Sequence, residues 1–146
     1  MKKFKFRLQK VLDYREADKR DKKRELGMRN KDLREAEEVY DSLIDAHDEL
    51  ADAHAAVLNM AELQALGAYQ QRLVQCIEEQ ENKVREATMA VEQAREYYLR
   101  SAVDAGALNL VLERKKGEWT YEWKRSERKF ANEVAIQRHN RRKGEL

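Results

Sequence analysis

The side chains in this sequence that could do chemistry are two histidines, a run of carboxylates and one cysteine. His47 and His54 lie seven residues apart, and on a helix that spacing separates them by about 10 Å, too far to share a metal ion. The carboxylates of Glu78–Glu81 could do acid–base chemistry only inside a pocket. Cys76 is the only cysteine, so it forms neither an internal disulfide nor a cysteine-based metal site. We therefore predict no catalytic residue, no metal site and no cofactor.

The motifs that usually accompany enzymatic chemistry are also missing from the sequence. It contains no glycine-rich phosphate loop, no Gly-x-Ser-x-Gly turn and no His-Glu-x-x-His pair. The sequence therefore predicts that the chain is not an enzyme.

Basic side chains occur at both ends of the chain, and at the N-terminal end they alternate with two phenylalanines. They are Lys2, Lys3, Lys5, Arg7 and Lys10 with Phe4 and Phe6, and, at the other end, Arg138, Arg141, Arg142 and Lys143. Such groups could follow phosphates while bases stack on the rings. Acidic residues are interleaved with them and no nucleic-acid recognition motif is present. A protein partner with an acidic, concave surface is the other interpretation.

The elements that position these side chains must be long helices. The 146 residues include no proline and only five glycines, and Ala, Glu, Lys, Leu and Arg supply 82 of them, a composition typical of coiled coils. Charged residues make up 40% of the chain and the mean hydropathy is −0.95. That leaves enough apolar material for a narrow helix–helix seam but not for a large core.

Hydrophobic periodicity predicts where this seam runs. In the second half, steps of three and four residues select fifteen positions, twelve of them apolar, which is a coiled-coil pattern. These positions are Leu63, Leu66, Gln70, Leu73, Ile77, Gln80, Val84, Ala87, Val91, Ala94, Tyr98, Ser101, Ala105, Leu108 and Leu112. The first half has a poorer series, namely Leu8, Val11, Leu12, Leu26, Leu33, Ala36, Tyr40, Leu43, His47, Leu50, His54 and Val57. Between Asp13 and Glu25 only Tyr14 and Ala17 could be buried, and the two histidines are interpreted as polar interruptions of the seam.

The predicted fold is all-α: two long helices forming an antiparallel coiled-coil hairpin in a single domain, 1–146, with the second helix longer. We expect helix 1 over about 4–58, a turn within about 58–67 and helix 2 to about 142. Asn59 stands three residues before Glu62 and resembles a capping box at the start of helix 2, while Gly67 is a rival helix breaker. This register sets Phe4 opposite residues 113–122.

Charge is distributed unevenly along the chain. Residues 1–25 carry eleven basic and five acidic side chains, residues 26–112 carry eight and seventeen, and residues 113–146 carry eleven and six. Folding back once brings the two basic ends together and leaves the acidic middle at the other end.

The N-terminus has no apolar stretch typical of a signal peptide, and no run of 18 apolar residues occurs. We expect a cytoplasmic protein that does not insert into a membrane.

Three aromatic residues near the C-terminus lie at helical spacing, namely Trp119, Trp123 and Phe130. We expect Trp119 to close the open end of the hairpin against Phe4. Phe130 and Val134 have no predicted partner in the chain. An apolar stripe on an unpaired helix indicates a docking surface for another protein.

Several segments resemble the flagellar export protein family FliJ. The N-terminal segment Phe4–Leu12, which reads Phe-Lys-Phe-Arg-Leu-Gln-Lys-Val-Leu, is followed by Arg15 and resembles the opening of these proteins. Ala61–Leu63, with Tyr69 and Leu73, resembles the start of their second helix. The length, the absence of proline and the long second helix also fit, so the resemblance covers essentially the whole chain.

The resemblance implies a stalk that inserts into the hexameric ring of the flagellar export ATPase FliI, promotes its assembly and activity, and links it to the membrane export gate FlhA. It also implies the handling of export chaperones and a location in the cytoplasm, peripherally associated with the inner-membrane export apparatus. By analogy, the joined termini contact the ring through Phe4, Phe6, Arg7, Lys10, Trp123, Phe130, Arg138 and Arg142. The gate contact would involve Leu43, Leu50, Leu73 and Ile77, which are also seam residues. Two alternatives stay open: a stalk of a virulence-type secretion system, and a basic coiled coil that binds nucleic acid.

Overall fold

Two helices make up almost all of the structure. The computed structural model describes residues 3–53 and 59–144. Helix α1 runs from Gln9 to Ala53 over 45 residues, and helix α2 runs from Met60 to Gly144 over 85 residues. The described residues include no strand. The structure therefore confirms an all-α hairpin whose second helix is the longer one.

The ends of the helices differ in part from the expected bounds. Residues 3–8 precede α1 rather than form its first two turns, because Phe4 packs on α2 instead of continuing a helix. At the start of α2 the Glu62 N–H donates to Asn59 Oδ1 at 2.9 Å, as an N-cap does. Gly67 lies inside α2 and does not break it. The expected end of helix 1 and His54 fall within residues 54–58, outside the described part of the chain.

One compact unit consists of the described residues between Asp18 and Ser101. Leu50, Leu73 and Ala94 are buried in it. The buried side chain of Gln80 donates from Nε2 to the Ala36 carbonyl at 2.9 Å, so its polar end is satisfied across the seam.

The same unit shows that the helices are antiparallel. The Lys22 ammonium lies 5.5 Å from the centroid of the Tyr97 ring, a cation–π distance. Residue 22 therefore contacts residue 97, whereas residue 36 contacts residue 80. As the residue number increases along α1, the number of the contacted residue on α2 decreases. The two helices are therefore antiparallel, as in a hairpin.

The other compact unit joins residues 3–17 to residues 102–144. Leu12 and Ala105 are its buried apolar residues, and Ala105 is fully buried, with 0% of its surface exposed. Polar contacts complete this unit. The Arg15 guanidinium lies 3.2 Å from the Asp104 carboxylate, and Asn109 Nδ2 donates to Glu16 Oε1 at 2.7 Å.

The pattern of burial along α2 follows the predicted seam closely. From Leu73 to Leu112 every predicted position is buried or half-buried, including the polar Gln80 and Ser101. Leu63 and Gln70, near the start of the helix, are exposed. The described residues contain no helix long and apolar enough to cross a membrane.

One expectation for α1 is wrong. Tyr14 was expected to be buried, but 67% of its surface is exposed. Arg15 and Lys22 are half-buried instead. Steps of three and four residues from the buried Leu12 lead to Arg15 and then to Lys22, so both lie on the same face of α1 as Leu12. The position on the helix, and not the type of side chain, decides which residues face α2. Their long alkyl stems cover the seam while their charged ends reach partners on α2.

Candidate functional site

The two chain ends meet through their aromatic side chains within one compact unit. The Phe4 and Trp119 ring centroids lie 5.9 Å apart with the planes tilted by 56°, and Trp119 stacks on Trp123 at 6.5 Å. Both distances lie in the range of favourable aromatic pairs. The expected contact of Phe4 with the region 113–122 of α2 is thus observed, and it holds the N-terminal segment on the helix.

This contact encloses a groove of about 800 Å³ between residues 3–8 and the part of α2 from Val111 to Glu122. Its apolar walls are Phe4, Phe6, Leu8, Val111 and Trp119. The cations that line it come from both sides: Lys3, Lys5 and Arg7 from the N-terminal segment, and Lys115 from α2. We name it the terminal groove. An apolar floor with a cationic rim suits an apolar side chain of a protein whose surface is acidic.

One acidic side chain at the terminal groove is already paired. Lys115 Nζ donates to Glu118 Oε2 at 2.8 Å, and Arg114 Nε lies 3.4 Å from Glu118 Oε1. The hydrogen bond from Lys115 is the main cause that lowers the pKa of Glu118 below its ordinary value, and the charges of Lys115 and Arg114 add to it. Glu118 therefore stays ionised and neutralises part of the local positive charge.

Beyond the groove, α2 continues with its apolar face exposed. Trp123 is 36% exposed and Phe130 is 68% exposed, while Val134 is half-buried. Arg138 and Arg142 follow on the same side of the helix, alongside Phe130. We name the face formed by these five residues, of which all but Val134 are exposed, the distal face. It continues the seam periodicity past the last residue of the N-terminal segment.

The structure brings together some of the predicted ring-contact residues but not all of them. Phe4, Phe6 and Arg7 line the terminal groove, and Trp123 joins it through Trp119. Lys10 lies exposed in the first turn of α1 and does not line the groove. Phe130, Arg138 and Arg142 lie on the distal face.

The four predicted gate-contact residues lie in the seam of the other unit. Leu50 and Leu73 are buried, and Leu43 and Ile77 are half-buried. Their first role is therefore to hold α1 against α2.

Sequence reasoning missed residues that line the groove from α2. The sequence analysis did not predict Glu122, Lys115 and Val111 as site residues. They lie three, four and eight residues from Trp119, respectively. Helical spacing from Trp119 was the signal that could have found them.

A helical hairpin with an apolar, cationic surface at its joined ends and a long uncovered helix face is the architecture of a coiled-coil protein that binds other proteins. The family model of the flagellar FliJ protein matches residues 4–144. The chain belongs to this family, which is non-catalytic, and its function therefore lies in flagellum biogenesis and protein export. No curated protein and no solved structure matches the chain.

Proposed function

We propose that the chain is a non-enzymatic stalk of the flagellar type III export apparatus that inserts its joined ends into the ring of the export ATPase, promotes ring assembly and activity, and links the ring to the export gate. The observation that carries this proposal is the distal face. An apolar stripe with a 68% exposed phenylalanine, followed by cations, is a surface that another protein would cover.

The terminal groove supports the same orientation. It lies beside the distal face in one compact unit, and its rim carries the cations Lys3, Lys5, Arg7 and Lys115. A ring whose inner surface is acidic would gain electrostatic steering from these charges and apolar contact from the aromatic residues. Lys10, Arg138 and Arg142, all exposed, extend the positive charge on both helices.

ATPase stimulation tests the ring contact. A purified export ATPase should hydrolyse ATP faster with this chain present, and the gain should weaken as salt rises, because exposed charges are screened. Changing Arg7, Lys10, Arg138 and Arg142 together to Glu should abolish the gain while the helical circular dichroism signal persists. The matched control reverses four exposed cations of α1 in the other unit, Arg20, Lys23, Arg24 and Lys31, and should retain stimulation.

Two outcomes would contradict the ring contact. Full stimulation by the Arg7, Lys10, Arg138 and Arg142 variant would defeat the proposed orientation. Micromolar binding of unrelated RNA or DNA with a steep salt slope, without any effect on the ATPase, would favour the nucleic-acid alternative instead.

The proposed gate link depends on the seam around Leu43, Leu50, Leu73 and Ile77. Changing each residue singly to Ala should weaken binding to the cytosolic part of the gate protein more than it weakens ATPase stimulation. Val84→Ala, in the same unit and seam, is the control for lost stability alone. Equal loss of gate binding by Val84→Ala would show that the four residues act only through folding.

A further inference from the structure

The C-terminal part of α2 has a second face, on the side of the helix opposite the distal face. Trp123, Phe130 and Val134 each lie two residues from members of this second face, and two residues correspond to a turn of about 200° on a helix. The whole face belongs to one compact unit, and all of its residues are exposed. We name it the back face. It is formed by Tyr121, Arg125, Arg128, Asn132 and Ile136, at steps of three and four residues, with Lys124 and Lys129 on either side.

The back face carries four cations that no acidic group neutralises. They are Lys124, Arg125, Arg128 and Lys129. In the part of the chain that the structure describes, no carboxylate forms an ion pair with any of them. Earlier in the same unit, by contrast, Arg114 and Lys115 share the carboxylate of Glu118. The back face therefore keeps its full positive charge.

The acidic residues of this stretch lie away from the back face. They are Glu122, Glu127 and Glu133, and each is about 90° or more around the helix from the centre of the back face. The charges of this part of α2 are thus sorted by side. An anionic partner that approaches the back face meets cations first.

Apolar side chains lie among these cations. Tyr121 is 70% exposed and Ile136 is 59% exposed, and on a straight helix they are separated by about 22 Å. A helix that lies on a lipid surface places such side chains at the boundary of the acyl chains while its cations reach the headgroup phosphates. Single-stranded nucleic acid gains instead from a row of rings on which bases stack, and the back face has one tyrosine. These features favour a membrane surface.

We propose that the back face binds the surface of a bilayer that contains anionic phospholipids. Clusters of about four to eight Lys and Arg residues on a helix bind such lipids, and each residue near the surface strengthens binding by about fivefold. In this orientation the distal face is turned away from the bilayer and stays open to a protein. The contact needs no other flagellar protein, so its test is independent of the proposed function.

Sedimentation of the full chain with lipid vesicles tests the charge. The chain should bind vesicles of phosphatidylglycerol and phosphatidylcholine, should not bind phosphatidylcholine alone, and should bind less as salt rises. Changing all four back-face cations to Gln should weaken binding by at least about a hundredfold. The helical circular dichroism signal should persist, because Gln is a good helix former.

A matched control separates the back face from the net charge of the chain. It changes four exposed cations of α1 in the other compact unit to Gln, namely Arg20, Lys23, Arg24 and Lys31. The net charge falls by the same amount as in the back-face variant, yet vesicle binding should stay within about twofold of the wild type, because charges far from the lipid surface are screened.

Fluorescence identifies which side of the helix meets the lipid. In a Cys76→Ser background, an environment-sensitive dye on Asn132→Cys should shift its emission to the blue with phosphatidylglycerol vesicles, whereas the same dye on Phe130→Cys should not. The only two tryptophans, Trp119 and Trp123, lie on the side of the distal face and should keep their emission. A shift at residue 130 without one at residue 132 would overturn the assignment of the back face.

Other outcomes would also overturn the proposal. They include equal binding to phosphatidylcholine alone, unchanged binding by the back-face variant, and an equal loss in the α1 control. Binding of unrelated RNA that is lost in the back-face variant, without any binding to vesicles, would assign the back face to nucleic acid. Binding only to an acidic protein would assign it to a protein contact.

Discussion

Two parts of α2 have the same spacing of apolar residues but opposite environments. Between Leu73 and Leu112 the seam positions are covered, and Leu73, Ala94 and Ala105 are buried. From Trp123 onward the periodicity continues, yet Phe130 is 68% exposed. The comparison shows that periodicity defines a face of a helix, while the length of the partner helix decides how much of that face is covered.

The largest expected difference between the two parts comes from truncating an apolar side chain in each. Leu73→Ala should lower the free energy of unfolding by about 2–4 kcal/mol, because it leaves a cavity in the seam. Phe130→Ala should change the free energy of unfolding by less than about 0.5 kcal/mol, because the side chain is already in water. Urea unfolding followed by circular dichroism measures both. Equal losses would mean that Phe130 is covered in the isolated protein.

Enlarging a small residue sharpens the same comparison. Ala105 is fully buried, so Ala105→Leu should force the helices apart and destabilise the fold by about 1–3 kcal/mol. Ala131→Leu places the same added volume on the exposed part of α2 and should be nearly neutral. Thermal melts of the two variants under one condition provide the measurement, and a neutral Ala105→Leu would show that the seam is loosely packed there.

A smaller effect is expected at the polar interruption of the seam. His47 is half-buried on α1, so His47→Leu should raise the melting temperature, equivalent to about 1 kcal/mol, and should encourage self-association. Adding the substitution of His54, which lies outside the described residues, by Leu should extend both effects. Melting and sedimentation of the single and double variants decide the matter, and destabilisation by both would contradict the assignment of these histidines to the seam.

The smallest effect concerns pH at the terminal groove. The pKa of Glu118 is lower in the folded chain than in the unfolded one, chiefly because Lys115 donates a hydrogen bond to the carboxylate. The ionised form therefore adds stability at neutral pH, and this contribution is lost as pH falls through the lowered pKa. Glu118→Gln should melt slightly below the wild type at pH 7, and the difference should shrink as pH falls through the lowered pKa of Glu118. A difference that persists in acid would point to a cause other than ionisation.

Much of the seam could be read from the sequence because the signal is local. The steps of three and four from Leu73 to Leu112 identified Gln80 and Ser101 as seam positions despite their polarity, since a helix repeats its geometry regardless of residue type. In the segment 13–25 the positions of apolar residues do not predict burial, because burial there follows the helix phase set by Leu12 and includes Arg15 and Lys22. Arg15 pairs with Asp104. These residues are far apart in sequence, so no local pattern predicts the ion pair.

The sequence likewise predicts some features of the candidate site and not others. The aromatic and basic residues at both ends were visible in the sequence, and so was the lack of a partner for Phe130. The terminal groove was not, because it forms only when residues 3–8 leave the helix and Phe4 packs on Trp119. The conformation of residues 3–8 thus depends on the contact between Phe4 and Trp119, which are 115 positions apart in the sequence.

By itself, the sequence determined the two helices, the antiparallel hairpin and the seam, because helix propensity, the absence of proline and heptad spacing all act over short distances along the chain. The tertiary structure alone decided which cations enter the seam, where α1 begins, and that Tyr14 faces outward. The physical reason is that burial is a property of two surfaces, and a single helix specifies only one of them.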